Sequence, residues 1–362
     1  MSISVLMIGP DRSVHGGISG VVNNLYDAGL DQHIHLTYIG TMKEGGKAYK
    51  LWTAIIAYIK FRKALPKCDI VHVHVASDRS YLRKSIFIKK AASTGKDILI
   101  HQHGGDWEGY YNSLSPKQKE KVKEIFDMGA QVQVLSPWYR DFFVNTVGID
   151  ADKIQVFPDT IKIPDIDVDV ISKMDTKPLN LLFLGRLCEA KGIRELVEAV
   201  SRINSTPIGN ARAQLTLAGI WEDESLKFLI SKEPYKDFVH YFGWANNEEK
   251  VGLFKESDIL VLPSYFEGQS VSILEAMAYG LGIVATNVGG IPMMIEDGVT
   301  GILVEPRSVE SLQKGIERLS NDRELLQRLG KQARMKASND FNIDNTVDSL
   351  VRIYEEIYEK SR

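Results

Sequence analysis

Eleven short runs of aliphatic and β-branched residues punctuate the chain. ISVLMIG, IHLTYIG, DIVHVHVA, DILIHQH, QVQVLS and IQVFPD lie before position 160, and LNLLFLGRL, AQLTLAGI, VHYFG, DILVLPS and GIVATNV follow it. Most are apolar without strict alternation, the pattern of a strand covered on both faces, and helical stretches fill the intervals between them. Strand and helix taken in turn predict parallel sheets with crossover helices. The rhythm stops and restarts, so two α/β domains are expected, and 362 residues with 44% hydrophobic content suffice for two cores. PDIDVDVISKMDTKP, with proline at both ends and no clear period, reads as the linker. The expected boundaries are 1–165 for the first domain, 166–178 for the linker and 179–340 for the second domain. The remainder, 341–362, contains DNTVDSLVRIYEEIYEK, whose apolar spacing predicts a closing helix that packs back on the first domain.

Cys68 and Cys188 stand far apart, so neither a disulfide framework nor a cysteine zinc site is expected, and a reducing compartment fits. MSISVLMIGPD has no basic region ahead of its short apolar run. No later segment reaches the ~18 apolar residues that span a bilayer, and a cytoplasmic, soluble protein is expected. The net charge of −3 conceals an asymmetry: residues 1–165 hold 21 Lys+Arg against 17 Asp+Glu. From Lys43 to Lys96 there are 13 basic and 3 acidic residues, a local +10 that calls for an anionic neighbour.

In open parallel sheets, ligands bind beyond the carboxyl ends of the strands. After the first strand, Gly16 and Gly17 precede an apolar helix. Glycine lets an anion approach the backbone, and a helix start favours negative charge, although an ordinary tight turn has the same composition. In LGRLCEAKG, Arg186 and Lys191 flank a loop entering a helix, where a guanidinium and an ammonium suit a diphosphate; solvated boundary charges are the alternative. In SYFEGQSVSILEAMAYG, Ser270 is placed to cap a helix whose first amides meet the same anion. Glu267 then stays in the loop and Glu275 lies more than a turn inside. One carboxylate is thus set near the reacting group, and the other can accept paired hydroxyl hydrogen bonds from a sugar such as ribose.

GRLCEAKG, FEGQSVSILEAMAYG and NVGGIPMMIEDGVTGILVEP resemble the donor-binding half of retaining glycosyltransferases of family 4. GGISGVVNNL, DIVHVHVA, HQHGGDW and QVQVLSPWYRDFF sit where that family's N-terminal domain has its own motifs, so the resemblance runs over most of the chain. It implies the GT-B fold, two Rossmann-like domains facing a central cleft, and transfer of a sugar from a nucleotide-diphosphate sugar to a glycan acceptor, a lipid-linked one included. It implies His103, Glu267, Arg186 and Lys191 as the catalytic set. Donor binding would fall to Gly16, Gly17, Arg186, Lys191, Gln269, Ser270, Val271 and Glu275. Within these sets, Arg186 and Lys191 would hold the diphosphate, Glu275 the ribose hydroxyls, and Glu267 and His103 the transferred sugar. Gln269 and Ser270 stand where that family often has an apolar residue and Pro or Gly, and Met294 stands where a glutamate is common.

In retaining enzymes of this type the acceptor attacks on the face the diphosphate leaves, and a phosphate oxygen takes its proton. No cofactor or metal is expected. Asp165, Asp167 and Asp169 make an acidic pattern, but they fall in the linker, away from a strand end. His72 with His74, and His101 with His103, share strand faces as a zinc site would require; buried parallel strands with polar ends explain them more simply. A catalytically silent partner subunit, or an epimerase or phosphorylase on the same fold, are the other readings. The basic stretch YKLWTAIIAYIKFRKALPK and RSYLRKSIFIKKAASTGK reads as two amphipathic helices with their aromatics mostly in the core. Their cations, Lys84, Lys89 and Lys90 among them, are expected to meet anionic lipid on the inner face of the cytoplasmic membrane. No nucleic-acid reader motif is present.

Overall fold

Aliphatic residues fill the buried strands as the sequence requires: Val5 to Ile8, Ile70 to Val75 and Ile259 to Leu262 are all buried. The computed structural model describes residues 3–14, 16–166, 178–205, 213–360 and 362. Twelve strands are present among them. They are β1 (Ser4–Gly9), β2 (His35–Gly40), β3 (Ile70–Val75), β4 (Asp97–Gln102), β5 (Gln131–Val134) and β6 (Ile154–Val156), then β7 (Leu179–Leu184), β8 (Ala213–Ala218), β9 (Val239–Gly243), β10 (Ile259–Leu262), β11 (Gly282–Thr286) and β12 (Ile302–Val304). The eleven expected runs all form strands. The twelfth is a three-residue piece too short to stand out as a run.

Every pairing is parallel, in two six-stranded sheets ordered β2-β1-β3-β4-β5-β6 and β12-β11-β10-β7-β8-β9. Each order reverses once, between β1 and β3 in the first sheet and between β7 and β10 in the second. Such a reversal leaves a crevice, because the crossovers on its two sides lie on opposite faces of the sheet.

The chain divides into two compact units, Met1–Lys162 with Asn342–Arg362, and Ile163–Phe341. In the first unit the helix Ile343–Lys360 packs against β3 and the helix Gly17–Asp27. Its Tyr354 is fully buried, with its hydroxyl 2.7 Å from His72 Nδ1. In the second unit the Arg334 guanidinium donates to the carbonyls of Pro164 and Ile166 at 2.8 and 3.2 Å. Most of the expected linker, including Asp167 and Asp169, lies outside the described residues; Asp165 is exposed.

Two readings of the basic stretch are corrected. The helices form at Lys47–Ala64 and Arg79–Ala92, but Lys84 is fully buried and contributes nothing to a charged surface. The aromatics of the first of these helices divide between core and surface: Phe61 is buried against Phe87 with ring centroids 5.1 Å apart, whereas Tyr49 and Trp52 are exposed. No helix among the described residues is long and apolar enough to cross a membrane.

Candidate functional site

The crevice between β7 and β10 gathers three strand-end loops. The loop after β7 runs through Arg186 to the short 3₁₀ turn Glu189–Lys191 and ends at Gly192, whose φ of 66° is in the left-handed region. A Cβ at Gly192 would strike the Pro263 carbonyl, so glycine is what lets this loop lie against the one following β10. Tyr265 N–H donates to the Ala190 carbonyl at 2.9 Å and joins the two. The loop after β11 closes over the same point: Gly290 N–H donates to the Glu267 carbonyl at 2.9 Å, and Gly289, at φ 54°, passes where any side chain would meet that carbonyl.

Glu267 is therefore held by backbone from two sides. Its Oε1 is ion-paired with Lys191 Nζ and accepts from the Ser264 hydroxyl at 2.8 Å. The Lys191 and Glu267 side chains are only 15% and 11% exposed, so this pair is partly shielded from water and feels charge more strongly than a surface pair. Arg186 differs. Its Nη1 lies 3.3 and 3.1 Å from the two carboxylate oxygens of Glu222, with side chains 64% and 45% exposed. An exposed pair of that kind contributes about 0–1 kcal/mol, so Arg186 can leave it for an incoming phosphate at little cost.

Ser270 caps the helix Val271–Ala278, its Oγ accepting from Ile273 N–H at 3.4 Å and lying 2.9 Å from Ser272 Oγ. Gln269 and Ser270 are buried, and Val271 opens the helix. Glu275 is the fifth residue of this helix and is ion-paired with Lys250. Lys250 was not anticipated. It comes from the helix Asn247–Glu256, 25 residues away in sequence, and no spacing relates it to Glu275. Glu222 was missed for the same reason. Its neighbour Trp221 bridges to Leu187 beside Arg186 and lies 5.3 Å, centroid to centroid, from Tyr241 of β9. An aromatic pair thus borders the cationic loop, the kind of surface on which a nucleobase stacks.

In the first unit, Gly16 and Gly17 begin the helix Gly17–Asp27 after β1, at that sheet's own reversal. Gly16 has an extended φ of 168°, and an added Cβ at either position meets nothing within 4 Å. The fold itself does not demand glycine there. His103, after β4, is buried: its Nε2 is 2.7 Å from His74 Nδ1 and its Nδ1 is 3.1 Å from Asp159 Oδ1.

The register that sets His74 beside His101 brings His72, His74, His101 and His103 into one column, with the His72 and His74 rings 4.3 Å apart and the His101 and His103 rings 4.0 Å apart. Burial keeps three of these imidazoles neutral: His72 is lowered to about 3, and His74 and His101 fall well below the usual range. His101, His103 and Asp159 place three ligand-type atoms within 4.8 Å of one another, as do His72, His74 and His101. Burial is the largest cause of the lowering at His74, followed by the neighbouring imidazoles and then Lys84. Arg186, Lys191, Glu267, Gln269, Ser270, Val271 and Glu275 all lie in the second unit, and Gly16, Gly17 and His103 in the first.

Residues 167–336 match the family described as glycosyl transferases group 1. Over 95% of its length the chain is 24% identical to an uncharacterized 41.2 kDa protein in the cps region of Klebsiella pneumoniae, covering 97% of that protein. Sucrose-phosphate synthase of Thermosynechococcus elongatus superposes with a TM-score of 0.82 at 19% identity, over 99% of this chain and 100% of that one. HepE of Anabaena, solved in complex with UDP and glucose, superposes with a TM-score of 0.75 at 16% identity, over 98% and 99% of the two chains. The fold is that of the GT-B glycosyltransferases.

Proposed function

We propose that the protein transfers a sugar from a nucleoside-diphosphate sugar to a glycan acceptor, with retention of configuration at the transferred carbon and without a metal ion. The observation that carries this reading is the meeting of three strand-end loops on Glu267, with Lys191 paired to it and the Ser270-capped helix start beside it.

Lys191 and Arg186 take the diphosphate. Lys191 comes from a partly shielded pair with Glu267 and Arg186 from an exposed pair with Glu222, so the second is the easier to recruit. The first turn of the helix Val271–Ala278 adds its positive end. Glu267, freed of part of its pairing, accepts hydroxyls of the donor sugar, and Glu275 accepts those of the ribose. Trp221 and Tyr241 offer a face to the base. During transfer the bond from the sugar carbon to the diphosphate oxygen breaks, and a bond to the acceptor oxygen forms on the same face. The acceptor proton passes to a phosphate oxygen of the leaving diphosphate. Charge developing on that leaving group is what Lys191, Arg186 and the helix start stabilise, and such electrostatic preorganisation is the largest single contribution in many enzymes. The acceptor assigned to this reaction is a growing glycan, a lipid-linked one included.

A thermal-shift screen against UDP-, GDP- and ADP-sugars tests the reading. A donor present at 100 times its Kd stabilises by about 2.7 kcal/mol, and this stabilisation should be lost in Lys191→Ala. If no nucleoside-diphosphate sugar raises Tm, the donor site is wrongly assigned.

A further inference from the structure

The helix Lys47–Ala64 is apolar on two sides, and only one of them is packed. Ala57 and Phe61 face the core, Phe61 against Phe87 of the neighbouring helix Arg79–Ala92. Trp52, Ile55 and Ile59, at spacings of three and four, lie on the opposite side with Leu51 beside them, and all four are exposed, Leu51 at 64% and Trp52 at 61%. Lys47, Lys50, Lys60, Arg62 and Lys63 are exposed on the same helix, which contains no acidic residue. The helix Arg79–Ala92 repeats the pattern, with Leu82 and Ile86 exposed between the exposed Arg79 and Lys89 and again no acidic residue. A contiguous exposed apolar stripe rimmed by charge of one sign marks an interaction surface.

We infer that this face is a docking surface for an anionic lipid bilayer, with Leu51, Trp52, Ile55 and Ile59 entering the headgroup boundary and the flanking lysines and arginines meeting lipid phosphates. An apolar face edged by cations and carrying tryptophan is the composition of helices that lie in a membrane interface. A second copy of the chain is the competing occupant, but a two-fold pairing through this helix would set its cations against one another. A lipid surface supplies both the apolar depth and the negative charge. The inference concerns the first unit alone and is independent of the transfer reaction.

Co-sedimentation of the full chain with vesicles of phosphatidylcholine, with and without phosphatidylglycerol, tests it at low and high salt. Strong binding is expected only with phosphatidylglycerol and low salt, and a drop of at least tenfold in both Leu51→Ser/Trp52→Ser/Ile55→Ser and Arg62→Glu/Lys63→Glu. All these side chains are exposed, so Tm should stay at the parent value. Brominated lipid should quench tryptophan emission in the parent, and Trp52→Phe should keep vesicle binding while losing most of that quenching. The inference is overturned if the parent ignores anionic vesicles, or if the triple serine variant binds them as the parent does. It is equally overturned if the parent instead dimerises with concentration and the serine variant abolishes only that.

Discussion

Lys84 is a lysine where the fold wants a hydrocarbon. It is fully buried on the helix Arg79–Ala92, facing the first sheet, and its Nζ has no hydrogen-bond partner among the described residues. Burial, with the Arg83 guanidinium adding to it, lowers its pKa from 10.5 to about 7. Between pH 7 and 10.5 the unfolded chain holds a proton that the folded chain has shed, so stability rises with pH across that window; below 7 both states hold it and the cost is complete. At 1.36 kcal/mol per tenfold, the full cost is roughly 4–5 kcal/mol, of which about 2 kcal/mol is relieved between pH 7 and 9. The phenols of Tyr38 and Tyr81, pushed above their ordinary range by burial, stay neutral throughout that interval. Lys84→Met keeps the stem and removes the charge. The transition of the first unit should therefore rise at pH 7 by several degrees, at ~2–4 °C per kcal/mol, and should lose the parent's gain between pH 7 and 9. Thermal unfolding of both proteins at the two pH values is the assay. A methionine variant no more stable than the parent at pH 7, beside a parent indifferent to pH 9, would refute the reasoning.

The buried histidines act in the opposite direction from neutrality. Because His72 is held at about 3 and His74 and His101 well below 6.5, unfolding takes up protons as pH falls below 6.5, and each should cost roughly 1.4 kcal/mol per pH unit until its folded value is reached. Unfolding curves from pH 7 to 4 should show that loss, reduced in His72→Phe. At the donor site, Arg186→Ala and Lys191→Ala should each weaken nucleoside-diphosphate binding and turnover, Lys191→Ala the more so because its charge is the better shielded; titration calorimetry that finds both near the parent value removes the assignment. Turnover should persist in EDTA, and a complete loss restored by manganese or magnesium would instead point to a metal-dependent reaction.

Long stretches of this architecture were legible because parallel strands covered on both faces must be continuously apolar, which Val71 to Val75 and Ile259 to Leu262 show plainly even with histidines embedded in one of them. β12, with three residues, gives no such run. Ser270 could be read as a cap because a serine directly before an apolar helical pattern has little else to do. Lys250 and Glu222 could not, since each meets its partner only after strands and helices distant in sequence have packed. The crevice itself depends on strand order, which no local pattern encodes. Lys84 was a different failure. Tyr81, Lys84, Ile88 and Ala91 share one helical face, so the same period that predicts the helix places this lysine among core residues, and counting charges along the chain hid it.

The first unit is assembled from two stretches of chain with the whole second unit between them. During synthesis, β1 through β6 leave the ribosome long before Ile343–Lys360, and until that helix arrives His72 has no phenol beside it and the positions that receive Leu350, Ile353, Tyr354 and Ile357 stay open. The intervening unit is continuous in sequence and needs no later segment. The half of the molecule begun first is thus the half completed last. A ribosomal stall or nonsense codon soon after Phe341 leaves a finished second unit tethered to an unfinished first one, whose aliphatic surface is available to proteases and chaperones.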